Sequence, residues 1–156
     1  MTELERIADE VQRAYAGKAW HGPSVLEALH GVTPEIAARH SIANAHSIWE
    51  LANHIGAWAD IPRRRIRGEH FEVTQELNFP PLIENTAAGW RETLDRLAES
   101  QRKLIDVIRS LDERRLDQPV MQDGPTIYTL LHGVAQHHAY HAGQIILLKR
   151  IAAAVR

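Results

Sequence analysis

Two histidines four residues apart, His137 and His141, lie inside the run Gln136-His137-His138-Ala139-Tyr140-His141-Ala142-Gly143-Gln144. On an α-helix that spacing carries the chain about 40° past one full turn, so both imidazoles leave the same face. Around them Ile127, Leu130, Leu131, Val134, Ile145, Leu148 and Ile151 recur at helical intervals, and the two histidines fill the gap in that apolar stripe. Burying a polar ring without a partner is costly, so something inside should satisfy both. A metal ion is the simplest candidate. Histidine pairs at this spacing also occur on solvated helix faces; the place in the stripe is what argues for ligation.

A third ligand has to come from another helix, and His54 is the best placed. Ile48, Leu51, Ile55 and Trp58 mark the core face of its segment, and His54 lies beside that line, one turn from both Leu51 and Trp58. Three imidazoles suit a borderline divalent transition metal, zinc or nickel first, with iron and copper as alternatives. Three protein ligands leave a coordination position open, as catalytic sites do. Gln144, Tyr140 and Glu50 are candidates to support the ligands from behind. Helix surface explains Gln144 equally well, an interface aromatic explains Tyr140, and a helix cap is the preferred reading of Glu50.

The remaining histidines rank lower. His138 stands about 100° around the helix from His137 and His132 about 140°, which puts both at the flank or the surface. His46 could approach the face of His54. His21, His30, His40 and His70 fall in loops or near helix ends, as ordinary solvated side chains do. Two rival metal motifs fail on inspection. A zinc-protease helix needs glutamate directly after its first histidine, where this chain has His138. A di-iron bundle needs two Glu-x-x-His motifs on long helices, and the single match is Glu27 with His30, in a short segment.

The elements that must position these residues follow from capping and periodicity. Thr2 with Glu5, Ser24 with Glu27 and Ser47 with Glu50 are capping-box matches, and Thr33-Pro34 suits a cap followed by proline at the first helical position. Leu4, Ile7, Val11 and Tyr15 form the stripe of a first helix that stops near Gly17. A second long helix begins somewhere between Asn44 and Ser47 and stops near Gly68, with Pro62 expected to kink or split it. The arginines between Arg63 and Arg67 suit a solvated helix C-terminus, or more remotely attract the carboxylates of a ligand. Residues 69–85, with Phe79-Pro80-Pro81, read as a long crossover loop whose flanking helices need not be antiparallel. A third helix covers about Thr86 to Leu111, and a fourth runs from Thr126 to about Ala153. Gly133 and Gly143 within it should be compensated by close helix approach or access to the metal. The pattern is an all-α four-helix bundle in one domain, residues 1–156.

Composition narrows the function. A formal charge of −2 gives no basic surface for nucleic acid or anionic membrane, and no apolar run is long enough to span a bilayer. The first residues lack the apolar core of a signal peptide, and the absence of cysteine removes both disulfides and a thiolate nucleophile. A cytoplasmic protein is expected. Ten histidines in 156 residues are an excess that needs explaining.

Three segments together resemble the DinB/YfiT superfamily: His46-Ser47-Ile48-Trp49-Glu50-Leu51-Ala52-Asn53-His54-Ile55, the Phe79-Pro80-Pro81 loop, and Leu131-His132-Gly133 with Tyr140-His141-Ala142-Gly143-Gln144-Ile145. The similarity extends from about Leu4 to Arg150. It implies a bundle of up-down-down-up connectivity holding one divalent metal through a histidine of the second helix and a His-x-x-x-His pair of the fourth, here His54, His137 and His141. His138 departs from it, since many relatives carry an acidic residue there. The resemblance also implies a metal-dependent hydrolase or a transferase joining a low-molecular-weight thiol to an electrophile, acting on a small molecule, with homodimers common. Without cysteine, the nucleophile would be water or an exogenous thiol. The alternatives are a non-catalytic metal-binding or stress-response module, and a helical interaction protein without metal.

Overall fold

Side-chain caps set most of the helix starts. Thr2 and Ser24 each accept from the backbone N–H three residues on, while Glu5 and Glu27 reach back to the cap, opening α1 (Glu3–Ala16) and α2 (Val25–Leu29). Thr33 caps α3 (Pro34–Ala38), with proline where no N–H is needed. The box of Ser47 and Glu50 opens α4 (Ile48–Ile66), which ends before Gly68 at φ +89°. Thr74 caps a single turn, α5 (Gln75–Asn78), and Thr86 caps α6 (Ala87–Ser110). A 3₁₀ turn at Glu113–Arg115 then leads to α7 (Ile127–Ala154). The computed structural model describes residues 1–82 and 84–154; of the expected domain, Ile83, Val155 and Arg156 lie outside the described residues. Among the described residues the protein is all-α, without a strand, and no helix is long and apolar enough to cross a membrane.

The four long helices pack in the order α1, α6, α4, α7 and back to α1, with α2 resting on α7. Residue pairings fix how they run. Trp49 donates from its indole to Thr93 at 2.9 Å, and further along Gly56 faces Leu97 and Ser100, so α4 and α6 advance together. Between α1 and α7, Glu10 meets His132 and Tyr15 meets His138, again in step. Between α4 and α7 the order reverses: His54 lies against His141 and Trp58 against His137.

The apolar interior divides into two clusters. One gathers Leu4, Ile7, Val11, Leu104, Ile108, Leu131 and Val134; the other gathers Trp49, Ile55, Trp90, Leu97, Ile145 and Leu148. Apart from Thr93, which pairs with Trp49 inside the second cluster, the polar residues buried within the long helices fall where one cluster gives way to the other. Tyr15 sits at the end of α1, His54 within α4, Gln101 midway along α6, and the histidines of α7 between Val134 and Ile145. Tyr15, His54, Gln101, His138 and His141 are all buried. A polar layer therefore crosses the core at mid-height.

Three expectations need correction. Pro62 does not split α4, which runs unbroken through it to Ile66. One missing N–H forfeits a single helical bond, and the buried neighbours Ile61 and Ile66 hold the helix on either side of it. The connection 69–85 is not all loop, because Thr74 nucleates α5 within it. Gly133 and Gly143 are not sites of close helix approach: a Cβ added at either would meet nothing within 4 Å.

Candidate metal centre

α4 and α7 bring His54, His137 and His141 to one point, with all three ligand-capable nitrogens within 4.8 Å of one another. His137 Nε2 lies 2.9 Å from His54 Nε2 and 3.0 Å from His141 Nε2. What stands behind each ring determines what those nitrogens can do. His54 Nδ1 is 2.7 Å from the backbone carbonyl of Asn78 at the end of α5. A carbonyl only accepts, so Nδ1 carries the proton and Nε2 presents a lone pair. His141 Nδ1 donates to Gln144 Oε1 at 2.6 Å, with the same result. His137 Nδ1 is buried without a partner.

Protons alone satisfy this arrangement poorly. His137 Nε2 carries at most one hydrogen, which can serve one of two neighbouring lone pairs and leaves the other unpaired. A single cation serves all three. Nitrogens each about 2.0–2.1 Å from one zinc-like ion lie about 2.8–3.4 Å apart for angles between about 90° and 109°; the two contacts of His137 fall in that range, and the third pair lies within 4.8 Å. The donor set fits a divalent transition metal.

Electrostatics point the same way. Burial pushes the His137 imidazole down to about 3, helped by neighbouring His141 and His54. Burial likewise takes His141 down to about 4, against the opposing bond to Gln144. It lowers His54 too, against the opposing bond to Asn78. All three rings are neutral near pH 7, the state in which imidazole ligates.

The other singled-out residues divide. Gln144 stands directly behind His141. Tyr140 is exposed, its ring 5.0 Å from that of His141. Glu50 touches none of the three histidines; it caps α4 and lies 3.7 Å from both His40 and His46. His46 joins the site indirectly, stacking on Phe79 at 3.8 Å, which stacks on His54 at 4.1 Å. His21, His30, His40 and His70 are exposed, and half-buried His132 pairs with Glu10 at 2.7 Å. The arginine run is engaged locally: Arg63 with Asp60, Arg64 with Glu69, and Arg64 and Arg65 over the Phe71 ring.

His138 is the main surprise. Expected at the flank or the surface, it is fully buried and accepts from Gln101 Nε2 at 2.7 Å across the core. The sequence carried a signal for it. The buried positions Ile127, Leu131, Val134, His138, His141, Ile145, Leu148 and Ala152 alternate steps of four and three, and His138 is in that register while half-buried His137 is at its edge. Also missed were Asn78, whose backbone oxygen carries no side-chain signal, and Gln101.

On one side of the trio, His141 and Gln144 open onto a cavity of ≈ 380 Å³ walled by Leu51, Phe79, Tyr140, Leu147 and Leu148. Of the three histidines, His141 is the one that lines it. The family model of the DinB superfamily matches residues 19–145, most of the chain. No curated protein and no solved structure matches it.

Proposed function

The chain belongs to the DinB superfamily, and on that premise we propose that His54, His137 and His141 hold one divalent transition metal and that the protein is a metal-dependent enzyme. The reaction is hydrolysis, or transfer of a low-molecular-weight thiol to an electrophile. The observation that carries the reading is the set of three converging Nε2 atoms, two of which have their protons fixed on the far nitrogen by Asn78 and Gln144. Such a set has no good partner except a cation, and it borders a cavity that admits a small molecule. Held there, zinc, nickel or a similar ion supplies Lewis acidity that makes water or a thiol nucleophilic near neutral pH.

The chain's own residues do the rest. Asn78 and Gln144 fix ring orientation and tautomer, as the outer partners of ligating imidazoles do elsewhere. Phe79 and Trp58 close the site from the side of α4, their rings 4.1 Å and 6.3 Å from that of His54. With no cysteine in the chain, any thiol is a substrate. The helix pairings support a four-helix bundle of up-down-down-up connectivity: α1 with α7 and α4 with α6 in step, α4 against α7 in opposition.

Elemental analysis of tag-free protein beside His141→Ala tests the site. About one equivalent of transition metal in the parent chain, lost in the variant, is the expected result. Ester and amide hydrolysis and thiol conjugation are then assayed on loaded protein. Metal absent after reconstitution removes the three-histidine reading, and metal bound without turnover in either assay removes the enzymatic one.

A further inference from the structure

The cavity beside His141 is apolar in a way that selects among substrates. Leu51, Phe79, Leu147 and Leu148 wall it, Ile42 and Tyr140 stand at its mouth, and no Lys, Arg, Asp or Glu lines it among the described residues. Its titratable lining is His46, His141 and the phenol of Tyr140. Gln144 spends Oε1 on His141 and is left with amide N–H groups. The cations closest in sequence to the wall are engaged elsewhere: Lys149 donates to the carbonyls of Ala28 and His30, and Arg39 to that of Ala152. Away from the proposed metal, an anionic ligand would lose its water on entering and find no Lys or Arg in the wall to replace it.

We propose that this cavity binds a neutral, largely apolar substrate, aromatic or aliphatic, and discriminates against anions. The proposal rests on the reading of the adjoining histidines as the metal centre that acts on what the cavity holds. The stack of His46, Phe79 and His54 ties the cavity wall to a proposed ligand and, with the leucines, gives an apolar group ring edges and methyl groups to pack against. A thiol bearing several carboxylates is a poor occupant. A neutral ester, amide or electrophile with a single acceptor for Gln144 is a good one.

Two fluorophores with one skeleton test this: neutral N-phenyl-1-naphthylamine and its sulfonated counterpart 1-anilinonaphthalene-8-sulfonate. Each is titrated into the full chain, metal-free and zinc-loaded, with bound metal measured separately. In the metal-free chain, where the wall alone decides, the neutral dye should bind about tenfold more tightly or better, and zinc should narrow that gap by drawing the sulfonate. Leu147→Arg, at a side chain 55% exposed and therefore tolerant of charge, should reverse that order. Equal or tighter binding of the sulfonate by the parent chain overturns the proposal, as does a dye order that Leu147→Arg leaves unchanged. Metal retained without preference for the neutral dye overturns the cavity assignment alone. Preference for the neutral dye in a chain that retains no metal supports the cavity's selectivity and overturns the metal reading instead.

Discussion

Acidification should unfold the metal-free chain well above the range in which carboxylates titrate. In the fold, His137 and His138 are pushed down to about 3 and His141 to about 4, burial being the largest cause for each. In the unfolded chain each returns to about 6.5. Folded values below unfolded ones mean that the unfolded chain binds more protons between them. The stability these groups permit is complete above the unfolded pKa and is lost as pH falls below it. At about pH 5 each imidazole costs up to about 2 kcal/mol, since the unfolded form then gains about 1.5 pH units of protonation free energy. Three together cost up to about 6 kcal/mol, and about 3–6 once water reaching His137 and His141 from the cavity is allowed for. That is a large share of the roughly 5–15 kcal/mol that holds a domain together. Urea unfolding followed by circular dichroism, in chelator at steps from about pH 7.5 to about pH 5, measures it. His138→Leu should remove one imidazole's share of the slope. An unfolding free energy flat to within about 1 kcal/mol over that interval would show that these rings protonate freely in the fold, and the reasoning from burial would fail. Carboxylates do not imitate the effect, because their unfolded values of about 3.9–4.3 lie below the interval.

Gln101→Leu should destabilise the chain by about 1–3 kcal/mol by leaving His138 Nε2 buried and unpaired, whereas Gln101→Leu with His138→Leu should be close to neutral. If the double variant loses as much as the two singles added, the bond across the core contributes nothing. Gly143→Ala should stabilise by up to about 1 kcal/mol, since an added Cβ meets nothing within 4 Å and the helix gains propensity. A lowered melting temperature, or a loss of bound metal, would show that the glycine serves a purpose its surroundings do not reveal.

Local signals in the sequence were legible wherever a single residue type settles a backbone bond. Thr2, Ser24, Thr33 and Ser47 were all readable as caps, and each opens a helix within a residue of where it should. His54, His137 and His141 were readable as neighbours because helical spacing and a core-facing stripe limit where an imidazole can point. What escaped was set by neighbours in space. α7 is covered by α1, α2 and α4 at once, so its buried arc is wider than one stripe and takes in His138. Gln101 is unremarkable in the sequence of α6 and acquires its role only because His138 lies opposite it. Phe79 read only as part of a long crossover loop; its ring stacks on His54 because α5 folds the connection back onto α4.

Asn78 holds α4 with two different oxygens: its backbone carbonyl takes the proton of His54, and its side-chain Oδ1 takes the indole proton of Trp58. The connection between α4 and α6 is thereby pinned near its middle, and one long closure becomes two short ones. The chain entropy lost in that pin is charged against a bond whose strength depends on the opposite side of the same imidazole. A cation drawing electron density from His54 Nε2 makes the Nδ1 proton a better donor, which tightens the pin. With a cation held at the three nitrogens as proposed, its occupancy and the strength of the Asn78 pin would be linked, and the connection between α4 and α6 would be held more tightly when the centre is filled.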